Sequence, residues 1–221
     1  MTKVLGVLGG MGPAATVAFL ARVQALTPAQ GDADHIRVVM DMNPQVPDRN
    51  TRPGDAEAEL GAMAMRLKAA GAEVLAMPCN TAHAQKPGIV AAGLPFIDMI
   101  AETTAAAKAT GAKAVGILAT PGGEALYVAA LTEAGLTPVV LAGEDRAGFM
   151  ACVYGVKRGD TGVENRAAMA RLGEALRTNG AEAVIAGCTE VPLLLAQADV
   201  PVPLVDSAEV LAAACARACK G

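Results

Sequence analysis

Short apolar runs that end in polar turns alternate along the chain with longer, alanine-rich segments. The runs have the length of buried strands and the longer segments the length of helices, so the pattern predicts an α/β protein with mainly parallel sheets flanked by helices. Strands are expected over residues 3–8, 36–40, 94–98, 114–118, 139–141 and 202–206, and in the runs before Cys79 and Cys188. Helices are expected over residues 13–26, 56–70, 124–134, 164–179 and 208–218. Residues 41–53 are too proline-rich for either structure and are predicted to form a loop.

One nine-residue segment of the sequence occurs twice in similar form. Residues 71–79 and residues 180–188 each open with Gly-Ala-Glu, continue through a short apolar run and end on a cysteine, at an offset of 109 residues (188 − 79). Two other segments recur in the same order: Asp98 and Asp206 close similar strands, and Gly6 and Gly116 lie in similar strands. The shared order and the nearly constant offset, 108 to 110 residues, predict an internal duplication into two similar lobes. We expect a first lobe of residues 1–98 plus 207–221, a second of residues 99–206, and an active site in the cleft between them.

The two repeated cysteines are the strongest candidates for chemistry. Each stands at the carboxyl end of a predicted parallel strand, where ligands of open α/β sheets bind. Polar residues follow at once, and we name residues 79–81 (Cys79, Asn80, Thr81) the first cysteine turn and residues 188–190 (Cys188, Thr189, Glu190) the second cysteine turn. Two thiols on opposite walls of a cleft suit stereo-inversion, because one can remove a proton from carbon while the other returns one to the opposite face.

Several charged residues are candidates for holding a substrate. Arg49 and Arg52 lie in the predicted loop, and a guanidinium matches a carboxylate. Lys157 lies in a segment to which we assign no regular element. His83 follows Cys79 by four residues, so it is a candidate to assist that thiol or to join a metal site with Cys79 and Cys188, although the spacing matches no common zinc pattern. The plain alternative for each is a solvated or capping side chain.

A different class of function is suggested by the turn after the first strand. Gly10-Met11-Gly12-Pro13-Ala14-Ala15 fits the G-x-G-x-x-A pattern of dinucleotide-binding proteins, with Asp41 at the end of the second strand as the ribose-binding acid. This interpretation explains neither the repeat nor the paired cysteines. The other three cysteines, Cys152, Cys215 and Cys219, lie in or beside helical segments and are expected in the core.

Composition narrows the class of protein further. The 221 residues are 53% hydrophobic, yet no apolar run reaches the ~18 residues of a membrane span, so no membrane association is expected. The net charge of −4 without a basic run argues against nucleic acid. No signal peptide is apparent, and five widely spaced cysteines fit free thiols in a reducing cytoplasm. We therefore expect a cytoplasmic protein.

Taken together, the motifs resemble the aspartate/glutamate racemase family, and most closely its aspartate racemase branch. The motifs are Gly9-Gly10-Met11-Gly12-Pro13, Asn43-Pro44-Gln45-Val46-Pro47-Asp48-Arg49, Pro78-Cys79-Asn80-Thr81-Ala82-His83 and Gly187-Cys188-Thr189-Glu190. They occur in the family's order from the first strand to the last. The resemblance implies an isomerase with two similar α/β lobes that racemises amino acids without pyridoxal phosphate, metal or other cofactor, commonly as a homodimer.

The resemblance also implies roles for individual residues. Cys79 and Cys188 match the two proton donor/acceptor positions, Arg49 matches a contact to a substrate carboxylate, and Lys157 matches a second charged contact. The remaining expected substrate-binding residues lie in the quoted motifs: Met11, Gln45, Asn80, Thr81, Ala82 and Thr189. The expected substrate is an acidic amino acid, aspartate or glutamate. Hydantoin racemase, maleate isomerase and arylmalonate decarboxylase chemistry remain alternatives within the same superfamily.

Overall fold

The computed structural model describes residues 2–49 and 51–221, which form alternating parallel strands and helices. The strands are β1 (Leu5–Gly9), β2 (Val38–Met42), β3 (Val74–Ala76), β4 (Phe96–Ile97), β5 (Ala114–Leu118), β6 (Thr137–Val140), β7 (Ala183–Ala186) and β8 (Leu204–Asp206). The α-helices are α1 (Pro13–Leu26), α2 (Pro53–Ala69), α3 (Lys86–Val90), α4 (Met99–Ala109), α5 (Pro121–Glu133), α6 (Gly143–Lys157), α7 (Val163–Thr178) and α8 (Ser207–Lys220). Among the described residues, no helix has both the length and the apolar character needed to cross a bilayer.

The chain divides into two compact units, each built on its own four-stranded parallel sheet. One unit comprises the described residues up to Met99 together with Ala208–Gly221, and the other comprises Ile100–Ser207. The strand orders are β2-β1-β3-β4 and β6-β5-β7-β8, so the second sheet repeats the topology of the first. All pairings are parallel, which confirms the predicted α/β class with two similar parallel sheets. In each order the connections reverse direction between the two central strands, which is where open sheets bind ligands.

The first unit has an apolar layer on each face of its sheet. On one face, Leu60 of α2 and Ile89 of α3 are fully buried against Leu75. On the other, Phe19 of α1 packs in a cluster with Leu211 and other residues of the distant helix α8. Full burial of one such leucine or phenylalanine side chain stabilises a fold by about 2 kcal/mol. The last helix is therefore part of the core of the first unit.

The repeated Gly-Ala-Glu segment has the same structural role in both units. Gly71 and Gly180 have φ angles of +93° and +97° at the ends of α2 and α7, a conformation that glycine adopts without strain. The glutamates that follow return to the first strand of their own sheet. The Glu73 carboxylate accepts a hydrogen bond from the Val4 N–H at 2.8 Å, and the Glu182 carboxylate accepts one from the Lys113 N–H at 2.6 Å. The repeat thus ends a helix and sets the start of the strand that leads to each cysteine.

Of the helices that follow β4, three differ from the sequence prediction, and the first of them, α4, was not predicted. Helix α5 begins at Pro121, so Gly122 and Gly123 lie in its first turn and do not form a separate turn before a helix at residue 124. Helix α6 was not predicted, although its buried residues Phe149, Cys152, Val153 and Val156 have helical spacing. Glycines at 148 and 155 lower the helical propensity of this segment, and packing against the sheet outweighs that effect.

Candidate active site

The first cysteine turn continues directly from the central strand β3. Strand β3 ends at Ala76, and the Cys79 N–H donates to the Met77 carbonyl at 2.8 Å, which bends the chain at the end of the sheet. Asn80 has helical backbone angles, and Thr81–Gln85 form a short 3₁₀ helix. Cys79 and Asn80 are buried, at 6% and 2% exposure, and Ala82 is fully buried. The thiol is therefore held in a nearly closed polar turn at the carboxyl end of the strand.

His83 fixes this turn through both ring nitrogens. Its Nδ1 lies 2.8 Å from the Cys79 carbonyl oxygen, and its Nε2 accepts the Met99 N–H at 3.0 Å. Because Nε2 accepts, Nδ1 carries the proton and the ring is neutral. Desolvation by burial lowers the pKa of His83 below its ordinary value, which also favours the neutral ring. His83 bonds to the backbone and not to the thiol, so the expected assistance to Cys79 is indirect: the ring ties the turn to the start of α4.

The glycine turn after β1 lies beside this cysteine turn in the same unit. A Cβ on Gly10, whose φ is +98°, would lie 2.4 Å from the Asn43 carbonyl carbon, so only glycine fits there. The Gly10 N–H donates to the Thr16 hydroxyl of α1 at 3.0 Å. Met11 is buried in the same apolar cluster as Cys79. The structure therefore brings the predicted site residues Met11, Cys79 and Ala82 into one cluster at the carboxyl ends of β1 and β3.

The loop after β2 contains the predicted carboxylate-binding arginine. Val46 anchors this loop in the cluster that holds Cys79. Arg49 is half-buried, with Nη1 3.4 Å from the carbonyl oxygens of Val46 and Pro47, and its Nε is buried without a hydrogen-bond partner. Arg52, in contrast, is exposed and pairs with Asp55 at 2.8 Å. Of the two arginines, Arg49 is the one whose guanidinium has capacity for a ligand.

Gln45 occupies a different position in this loop. Its backbone N–H donates to the Asn43 side chain at 2.9 Å, and its own side chain is exposed. It lines a shallow depression of about 540 Å³ whose other polar lining includes Arg52, Asp55 and Glu59. Neither Cys79 nor Met11 lines that depression.

The second cysteine turn ends the equivalent central strand of the other sheet. Strand β7 ends at Ala186, and the Val191 N–H donates to the Cys188 carbonyl at 2.9 Å, which closes the turn. Cys188, Thr189 and Glu190 are all buried, with Cys188 at 7% exposure. The Cys188 Sγ lies 2.9 Å from Oε2 of Glu190, and the Thr189 hydroxyl lies 3.4 Å from the same oxygen. This turn therefore pairs its thiol with a carboxyl group.

Lys157 is the last residue of helix α6. The buried face of that helix packs in the apolar cluster that contains Cys188, with Val156 next to the lysine. The Lys157 side chain itself is exposed. A cation at a helix C-terminus is favourable, so this position accounts for the lysine even without a ligand. The fold places it in the same unit as Cys188, and no residue that the structure describes forms an ion pair with it.

Comparison with known proteins identifies the family. Residues 8–215 match the family model of Asp/Glu/hydantoin racemases. The chain belongs to this racemase family. It is therefore an isomerase, of the amino-acid racemase type. The curated broad-specificity amino-acid racemase RacX of Bacillus subtilis is 24% identical over 94% of each chain.

Solved structures with the same fold include two related to aspartate racemase. The aspartate racemase of Picrophilus torridus superposes with a TM-score of 0.88 at 30% identity, covering 98% of this chain and 94% of that one. An aspartate racemase homologue from Pyrococcus horikoshii has a TM-score of 0.83 at 23% identity over the full length of both chains. At that lower identity the second comparison supports the fold alone.

The two alternatives from other classes of function find no support in the geometry. Both nitrogens of His83 are occupied, and the described residues contain no group of three or more His, Cys, Asp or Glu side chains placed to hold a metal ion. Asp41, the candidate ribose-binding acid, accepts a hydrogen bond from Arg66 at 2.8 Å. The glycine turn is packed against its own loop at Asn43. These residues of the racemase are engaged in holding its loops.

Sequence reasoning did not place Glu190 among the site residues, although it noted the polar turn. The available signal was a carboxylate two positions after a repeated cysteine, at a place where the first turn has Thr81. The other cysteines behave as expected of core residues. Cys152, Cys215 and Cys219 are buried, and desolvation raises the pKa values of the Cys152 and Cys219 thiols. Burial therefore keeps these two protonated at neutral pH.

Proposed function

We propose that this racemase interconverts L- and D-aspartate without a cofactor, with Cys79 and Cys188 as its two acid–base groups. The observation that carries the proposal is the repetition of one arrangement: each unit ends its central strand in a buried cysteine set in a polar turn. A racemase must treat the two faces of the α-carbon alike, and a duplicated thiol meets that requirement. The identity to the aspartate racemase of Picrophilus torridus supports aspartate as the substrate.

Binding of the substrate is assigned to cations and to neutral donors. Arg49 supports a carboxylate contact because it is half-buried and forms no ion pair with any described residue. Lys157 supplies a second positive charge. Asn80, Thr81 and Thr189 offer hydrogen-bonding groups beside the thiols, and Met11 and Ala82 form the apolar floor near Cys79. We assign Gln45 a role at the outer edge of the loop, since its side chain is exposed.

In the proposed mechanism, one cysteine enters as the thiolate and the other as the thiol. The thiolate takes the α-hydrogen, and the thiol of the other cysteine gives its proton to the opposite face of the same carbon. The α-carbon is a weak acid, so positive charge and hydrogen-bond donors around the carboxylate must stabilise the negative charge that develops. Holding both sulfurs close to the carbon replaces encounters in solution and lowers the barrier further.

The proposal is tested by incubating the purified protein with L-aspartate in heavy water, with no cofactor added. We expect the optical rotation to fall to zero while deuterium enters the α-position, followed by polarimetry and proton NMR. L-glutamate and a panel of other amino acids, tested in parallel, measure the breadth of the substrate range. Racemisation of glutamate but not of aspartate would contradict the substrate, and silence with every amino acid would contradict the function.

We further propose that the racemase works as a homodimer in the cytoplasm. The assembly is measured by light scattering on a size-exclusion column, where a dimer has twice the 22.2 kDa mass of the chain. A monomer that racemises aspartate at the full rate would contradict the dimer and leave the chemistry in place.

A further inference from the structure

Glu190 distinguishes the second cysteine turn from the first. Its side chain is only 3% exposed, and its Oε2 lies 2.9 Å from the Cys188 sulfur. The residue two positions after Cys79 is Thr81, which carries no charge. Both thiols are nearly buried at the end of a central strand. The carboxyl group of Glu190 therefore gives the second turn a charged side chain at a position where the first turn has a neutral one.

The backbone holds the carboxyl group against the thiol. The Val191 N–H donates to the Cys188 carbonyl at 2.9 Å, and the Leu193 N–H donates to the Glu190 carbonyl at 3.1 Å. These bonds fix both ends of the segment from Cys188 to Glu190. Because the carboxylate can only accept, the Cys188 thiol is the donor in the contact between them. The Thr189 hydroxyl, 3.4 Å away, is a weaker second donor to the same oxygen.

The surroundings of this pair favour one shared proton. Glu190 forms no ion pair with any residue that the structure describes. If Cys188 and Glu190 were both ionised, two negative charges would lie 2.9 Å apart in a buried turn. Like charges at such a distance repel each other strongly. The contact therefore favours a Cys188 thiol that donates to the Glu190 carboxylate over a Cys188 thiolate beside it.

We propose that Glu190 is a positioning residue that keeps Cys188 protonated in the resting enzyme, so that turnover of the enantiomer whose α-hydrogen faces Cys79 begins with Cys188 as the acid and Cys79 as the base. This inference rests on the proposed two-cysteine function. In the first half-turnover the α-carbon–hydrogen bond breaks and its proton goes to the Cys79 sulfur. The Cys188 sulfur–hydrogen bond breaks and its proton goes to the opposite face of the carbon. The enzyme is left with a Cys79 thiol and a Cys188 thiolate beside Glu190, and transfer of one proton through solvent restores the starting form.

Steady-state rates alone cannot reveal this asymmetry. The equilibrium constant between enantiomers is one, so kcat/KM for L- and D-substrate must be equal in the native enzyme and in every variant. The effect is instead measured in the free enzyme, through the reactivity of each thiol. Only the thiolate reacts quickly with iodoacetamide, and Cys79 and Cys188 are equally buried, so their alkylation rates report their thiolate fractions.

The experiment follows alkylation of both cysteines by mass spectrometry of peptides, without substrate. In the native enzyme we expect Cys79 to react at least about tenfold faster than Cys188, since a neighbouring negative charge disfavours the thiolate. In Glu190→Gln, which keeps the shape and removes the charge, we expect the Cys188 rate to rise about tenfold or more with the Cys79 rate unchanged. An unchanged ratio in a folded Glu190→Gln variant would overturn the proposal.

A reciprocal variant tests the cause at the matched position. Thr81→Glu places a carboxylate two residues after Cys79, and we expect it to slow alkylation of Cys79 and not of Cys188. Circular dichroism confirms that each variant is folded, and unchanged alkylation of Cys79 in folded Thr81→Glu would also count against the proposal. Racemisation is assayed separately. If the ratio of the two alkylation rates is the same in the native enzyme and in Glu190→Gln, the role of Glu190 is refuted. If the ratio changes but the native protein racemises no amino acid, the two-cysteine function is refuted.

Discussion

The first and second cysteine turns lie at the same place in two sheets of the same topology, but they are secured by different atoms. In the first, the His83 ring bonds to the Cys79 carbonyl and to the Met99 N–H at the start of α4. In the second, Glu190 contacts the Cys188 sulfur itself. The difference shows that the duplicated backbone fixes where a thiol stands, while single side chains in the turn set its charge environment.

The helices that follow the last strands of the two sheets, α4 and α8, also differ in how they are held. Helix α4 begins at Met99 and is tied to the first cysteine turn by the side chain of His83, which lies two residues after that turn. Helix α8 begins at Ser207, whose own hydroxyl donates to the Ala186 carbonyl at 2.6 Å. In both contacts the first residue of the helix donates, but the side chain belongs to the segment after the central strand in one case (His83) and to the helix in the other (Ser207). A shared requirement of the fold has therefore been met by two unrelated solutions.

Removal of either sulfur should have the largest effect on activity. We expect Cys79→Ala and Cys188→Ala each to lower racemisation by about 10³-fold or more, the usual contribution of a positioned acid or base. Each variant should still exchange the α-hydrogen of one enantiomer with heavy water, because one base remains, and the two variants should act on opposite enantiomers. Exchange should be slower in Cys79→Ala, because Glu190 disfavours the thiolate of the remaining Cys188. The assay is proton NMR of pure L- and D-aspartate in separate tubes.

Cys152→Ala is the matched control, since Cys152 is also a buried thiol but lies in helix α6. It should keep its racemase activity. Exchange of the same enantiomer by both Cys79→Ala and Cys188→Ala would contradict the assignment of the two thiols to opposite faces of the substrate.

Loss of His83 should be the most costly change to stability. His83→Ala leaves the buried Cys79 carbonyl and Met99 N–H without this partner, which should lower the free energy of unfolding by about 2–4 kcal/mol in urea titrations. Ser207→Ala removes the hydroxyl that holds the start of α8 in the second unit, and it should lower the free energy of unfolding by about 1–2 kcal/mol. Equal losses in the two variants would contradict the double role of the His83 ring.

The pH dependence of stability offers a separate test of the same residue. The pKa of His83 is lower in the folded protein than its ordinary 6.5, so the unfolded chain takes up the proton first as the pH falls. The contribution of His83 is complete above about pH 6.5 and is lost as the pH falls through the lower folded pKa. His83→Ala should therefore remove part of the loss of stability that the native protein shows below that pH.

Replacement of Arg49 should affect binding more than chemistry. A charge-assisted hydrogen bond is worth about 1.5–3 kcal/mol, so Arg49→Ala should lower kcat/KM for aspartate by about 10- to 150-fold, mainly through KM. Arg52→Ala is the control in the same loop, because Arg52 is exposed and already paired with Asp55. Arg52→Ala should change kcat/KM by less than about threefold. Equal losses in both variants would show that loop charge in general, and not Arg49, binds the substrate.

How much the sequence could predict depends on the range of the interactions involved. The strand ends and both cysteine turns follow from local patterns, because a short apolar run closed by polar residues has few other structures. The His83 contact to Met99 joins residues 16 apart, and no local pattern indicates it. The same holds for Glu190: its spacing from Cys188 was visible, but the 2.9 Å contact depends on how the turn is closed at Val191.

The smallest expected effect concerns the repeated glutamates, which serve the backbone and not the chemistry. Glu73 and Glu182 each accept one hydrogen bond from the N–H of a residue before the first strand of their sheet, at exposed positions. Glu73→Ala and Glu182→Ala should therefore each lower the free energy of unfolding by about 0.5–1.5 kcal/mol and leave kcat/KM unchanged. Urea titration and the polarimetric assay measure the two quantities. The two glutamates occupy equivalent positions in the fold, and each precedes a different cysteine turn. A loss of activity in only one variant would therefore show that the backbone contacts of the glutamates also contribute to the difference between the two thiols.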